Sequence, residues 1–156
     1  MYNVQSRPLR PLSIEGADGT FGVIEAKMGS PLSAGTKNAP GYDQASRSLA
    51  CIAFNTLSKA HNIFFAVAAP RQKMHEHGIE EQVNVSRMTD KIAGRFDMYE
   101  SDSKVHALKE RVLKRARTCT CFTLSYESWL DALSDHEAYT DLVEFKDQCY
   151  RFNRIG

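Results

Sequence analysis

The chain has 156 residues, of which 42% are hydrophobic and 25% charged, and its formal net charge is +1. Such a length and composition suit one domain, spanning 1–156, with an ordinary buried core. They exclude a globally basic nucleic-acid binder, so any phosphate contact must come from a local patch, and no apolar run reaches the ~18 residues of a membrane span.

Residues 12–28 read as two short strands joined at Asp18-Gly19, a dipeptide that tolerates the positive φ of tight hairpin turns. The second strand covers 20–28, where alternation puts Glu25 and Lys27 on one face and Ala26 on the other. Residues 29–41 contain three Gly and two Pro and read as a loop. A helix is predicted over 42–61, because Ala45, Leu49, Ile52, Ala53 and Leu57 recur at three- and four-residue steps. The apolar run 62–69, bounded by Pro70, predicts a strand covered on both faces. Strand, helix and buried strand in that order make a right-handed crossover with the helix on the sheet.

Beyond a polar stretch at 71–78, helices are predicted over 85–99 and 103–117, a strand over 118–125, and helices over 128–133 and 136–152. The fold class is therefore α/β: a small mixed sheet flanked by helices, with a core over 12–70 and a helical half with one further strand over 71–156.

An acid and a base one pleat apart at the end of an apolar strand invite a chemical reading beside that of a solvated ion pair. Metal-dependent phosphodiester hydrolysis needs carboxylates to hold Mg²⁺ or Mn²⁺ and a cation near the attacking water or phosphate. Glu25 supplies one carboxylate and Lys27 the cation. Glu15 or Asp18 would supply the second acid, and the Ala26 carbonyl could complete the metal shell. For Glu15 to share the face of Glu25, the hairpin needs a three-residue loop or a bulge.

The order of an acidic residue, a Gly-containing turn, Glu25-x-Lys27, a loop and a helix opening with Tyr42-x-Gln44 resembles the PD-(D/E)xK nuclease superfamily, its phage-exonuclease and RecB-like branch in particular. The resemblance covers about residues 12–70, with Glu15 standing ten positions before Glu25 where that family has Asp. It implies a restriction-endonuclease-like core and a Mg²⁺- or Mn²⁺-dependent nuclease acting on DNA, as in repair. Glu15, Glu25, Lys27 and Gln44 would then be catalytic, with Glu15, Asp18, Glu25 and Ala26 around the metal and Tyr42 and Arg47 on the substrate. The runner-up is an inactive nuclease-fold module that binds nucleic acid or a protein.

Lys109, Arg111, Lys114, Arg115 and Arg117 crowd one predicted helix. Arg111, Lys114 and Arg115 can form a stripe that meets phosphates, against the plainer reading of a solvated face. Cys119-x-Cys121 with His75 and His77 lacks the knuckle spacing of a zinc site, and the two thiols read as small core residues. Trp129 and the phenylalanines at 64, 65, 122, 145 and 152 read as core rather than as base-stacking platforms. Cys51 and Cys149 complete a set with no disulfide framework, and residues 1–10 lack the hydrophobic stretch of a secretory signal. Reduced thiols and a cytoplasmic location without membrane association are expected, and a homodimer is left open.

Overall fold

The computed structural model describes residues 19–57, 62–99 and 103–155. In chain order the elements are β1 (Thr20–Ala26), β2 (Gly35–Thr36), β3 (Ala39–Pro40), α1 (Gln44–Asn55) and β4 (Asn62–Ala69). These are followed by α2 (Arg71–Glu76), α3 (Ile79–Gln82), α4 (Val85–Asp97), α5 (Ser103–Ala116), β5 (Thr120–Ser125), α6 (Tyr126–Asp131) and α7 (Tyr139–Asn153).

The apolar run Asn62–Ala69 becomes the centre of the sheet. β4 lies between β1 and β5 and is parallel to both, with Glu25 opposite Val67 and Val67 opposite Thr123. A mixed sheet was expected; among the described residues this one is wholly parallel. The antiparallel partner predicted over 12–17, with Glu15 and the turn residue Asp18, lies outside the described residues. The stretch predicted as a loop holds the small antiparallel pair β2–β3.

Period-2 alternation sorts the strand side chains. Ile63, Phe65, Val67 and Ala69 pack beneath Leu49 and Ile52 of α1, Met88 and Ile92 of α4, and Val112, Leu113 and Ala116 of α5. Burying Phe65 alone contributes about 1.5–3 kcal/mol. Phe21 and Val23 of β1 pack against the same core, so Glu25, next in their parity, faces the helical layer at the strand's C-terminal end. Cys119 and Cys121 also pack there, as expected of small core residues.

The helix predicted over 42–61 is shorter. Asp43 caps its start by accepting from the Ser46 N–H at 2.8 Å, and Thr56 ends it, its hydroxyl donating to the Ile52 carbonyl at 2.8 Å. Leu57, counted in the helical stripe, still packs against the core beyond the helix end.

The C-terminal helices correct a second expectation. No side chain of α7 is buried, and Phe145, Phe152 and Trp129, read as core from the sequence, are exposed, as is Phe122. An apolar stripe identifies which side of a helix wants cover, not whether another element supplies it. No helix among the described residues is long and apolar enough to cross a membrane.

Candidate active site

Three of the expected site residues meet where β1 ends and α1 begins. Gln44, the first residue of α1, donates from Nε2 to Glu25 Oε1 at 2.7 Å and accepts from Lys27 Nζ at its own Oε1 at 3.0 Å. Lys27 Nζ stands 3.2 Å from Glu25 Oε1, closing a triangle of carboxylate, ammonium and carboxamide. The contacts assign the amide orientation, because turning it over would face two donors to the ammonium and an oxygen to the carboxylate. The triangle is half-shielded from water: the Lys27 side chain keeps 14% of its exposure and that of Glu25 27%.

Local backbone bonds fix these positions. The Lys27 N–H donates to the Ala68 carbonyl at 2.8 Å, extending the β1–β4 ladder one residue past the strand. The Ser33 N–H also reaches Gln44 Oε1, at 3.2 Å, while the Gln44 N–H donates to the Ser33 carbonyl at 2.8 Å. The loop before α1 is thus tied to the site residue on both of its polar ends. Glu25 also lies at the positive end of α1, where an anion is favoured.

Sequence reasoning missed the support of this corner. Asp43 is buried and paired with Lys91 of α4. Burial pushes the Asp43 carboxyl up, but the Lys91 ammonium and the Ser46 amide outweigh it and hold its pKa below the ordinary carboxylate value. The spacing of Asp43 and Ser46 is a legible cap signature; Lys91, in another helix, leaves no local signal.

Other expected site residues are placed elsewhere. Tyr42 turns from the triangle and lines a cavity of about 380 Å³ between α1, α4 and α5, where burial and the nearby Cys51 push its phenol pKa up. Arg47 donates back to the Tyr42 carbonyl at 3.1 Å. Arg115 Nε donates to Thr56 Oγ1 at 3.1 Å, at the other end of α1 from Gln44. At 1.5 Å per residue that separation is about 18 Å, so Arg115 and the triangle stand at opposite ends of α1. Arg111 and Lys114, on α5 with Arg115, are exposed. Ala26 ends β1 and is exposed. Glu15 and Asp18 lie outside the described residues.

Among the described residues no three His, Cys, Asp or Glu side chains gather to hold a metal ion. No protein-family model matches the sequence, and neither a curated protein nor a solved structure matches it.

Proposed function

We propose that this chain is a metal-dependent phosphodiesterase of the PD-(D/E)xK kind acting on DNA, with Glu25, Lys27 and Gln44 as its working residues. The observation that carries the reading is the closed triangle itself: a strand and a helix well apart in sequence deliver an acid, a base and an amide to one half-shielded point. Glu25 fits a metal ligand, because Gln44 and Lys27 engage Oε1 while Oε2 accepts no hydrogen bond among the described residues. Glu15 or Asp18 and the Ala26 carbonyl would complete the shell of a Mg²⁺ or Mn²⁺ ion. A bound divalent ion supplies a polarised phosphoryl oxygen and an acidified water. Lys27 keeps one ammonium proton beyond the two shared with Gln44 and Glu25, and offers it to a phosphate oxygen or to the incoming water. Gln44 acts as a positioning residue that fixes Glu25 and Lys27 relative to each other.

The same mutual satisfaction favours a second reading, an inactive module whose triangle ties β1 to α1 and whose basic α5 meets nucleic acid. Incubation with linear single-stranded and duplex DNA, with Mg²⁺ or Mn²⁺ and with a chelator, separates the two. Metal-dependent cleavage lost in Glu25→Ala and Lys27→Ala, with a metal-induced rise in Tm lost in Glu25→Ala, supports the first. Absence of both cleavage and a Tm shift in the parent leaves the second.

A further inference from the structure

We infer that the chain pairs with a second copy of itself through α7, the two α7 helices lying antiparallel about a two-fold axis. A lone helix of this length is marginal in water, and α7 buries none of its side chains. Its half-buried residues, such as Leu142 and Cys149, lean toward α6, whereas Phe145 and Phe152, one heptad apart, face outward at 65% and 88% exposure. Trp129 of α6 extends that patch at 51% exposure. Beside it a groove of about 280 Å³ runs between α6 and α7, walled by Trp129, Leu142, Phe145 and Cys149.

The partner that fits is found on the same helix. Phe152 projects about 10 Å along the axis from Phe145, so knob and groove stand side by side. Reversing a second copy brings each Phe152 to the other's groove, the self-complementarity that a two-fold interface demands. Charge selects the same arrangement. The first half of α7 carries Asp141 and Glu144 and its end carries Arg151 and, as the cap, Arg154, while Lys146 and Asp147 at its centre pair with each other at 3.0 Å and leave that difference in sign standing. Antiparallel helices set these opposite signs against each other twice, whereas parallel ones set like against like. The gradient also suits the dipole of α7 itself, but the outward phenylalanines have no such internal use. At 150–250 Å² per aromatic residue, the exposed parts of Trp129, Phe145 and Phe152 offer roughly 400 Å² per copy. That is about half of a standard partner footprint, leaving the rest to the polar rim.

Sedimentation velocity of the full chain from micromolar to millimolar concentration tests this, with Trp129, the only tryptophan, as a fluorescent reporter. The expected result is a monomer-to-dimer transition accompanied by a blue shift of Trp129 emission. Phe152→Glu, checked for folding by circular dichroism, should weaken the association ~30-fold or more. The pair Arg151→Glu/Arg154→Glu and the pair Asp141→Lys/Glu144→Lys should each be monomeric alone and dimerise when mixed. Three results overturn the proposal: a monomer at every concentration, a dimer indifferent to Phe152→Glu, or folded charge variants that stay apart on mixing.

Discussion

Lys91 of α4 reaches the buried carboxylate of Asp43, the residue that caps α1 immediately before Gln44. One side chain thus anchors the helix start, its packing on α4, and the side of the site that Gln44 provides. Asp43→Ala removes both cap and ion pair and is expected to cost about 3 kcal/mol; Asp43→Asn keeps the cap and should cost about half that. The folded-state pKa of Asp43 lies below the usual value, so its contribution is complete above the unfolded pKa and is lost as pH falls through the folded one. Urea melts should therefore show a wider gap between parent and Asp43→Asn at neutral pH than near about pH 3. An equal gap at both would contradict this account of Asp43.

Gln44→Ala severs contacts to Glu25, Lys27 and the Ser33 amide at once. With the group half-shielded, the expected loss is about 1–3 kcal/mol. The diagnostic signal is local: amide exchange at Ser33 should quicken well beyond what the global stability change explains. Unchanged Ser33 protection would mean that the carboxamide does not hold the loop.

Ser46 offers a change in the opposite direction. Its hydroxyl is buried in α1 and makes no well-aligned hydrogen bond, though it lies close enough to the Asp43 carboxylate to help hold that group's pKa down. Ser46→Ala removes a poorly satisfied polar group and raises helix propensity, while giving up its weak contact with Asp43, so a net gain of about 0.5 kcal/mol is expected in denaturant melts. A loss would show that the hydroxyl has a partner it needs.

On the sheet, Gly22 lies directly across from Phe64, and a methyl group there would meet the Phe64 ring within 2.3 Å. Phe64 in turn stacks on Phe122 at 6.0 Å between ring centroids. Gly22→Ala should therefore displace both rings and cost roughly 1–3 kcal/mol. The ring resonances of Phe64 and Phe122 should shift together; movement of one alone would uncouple the stack.

What the sequence disclosed follows physical range. β4 was legible to the residue, because an unbroken apolar run between Asn62 and Pro70 leaves no other bounds. The facing of Glu25 and Lys27 followed from alternation, whereas Gln44 was singled out only through the resemblance and not from any local signal. The pairing of Asp43 with Lys91 was not legible, since nothing local records which helix will arrive. Nor was the exposure of Phe145 and Phe152, whose stripe is the same whether or not a neighbour covers it. Helices as short as α2 and α3 carry too few turns for periodicity to register.

The parallel pairing of β1 with β4 has a kinetic consequence. No tight turn can close a parallel ladder, so β1 finds β4 only after the intervening loop and α1 have been brought over the sheet, and the closure entropy comes first. Glu25 and Lys27 stand at one end of that closure and Gln44 lies within the segment it brings over. A nascent chain halted before β4 emerges lacks the Ala68 carbonyl that holds the Lys27 amide, and is expected to lack a fixed triangle, however well α1 has formed. The corner that holds these three side chains matures with the sheet, late and all together, rather than piecemeal.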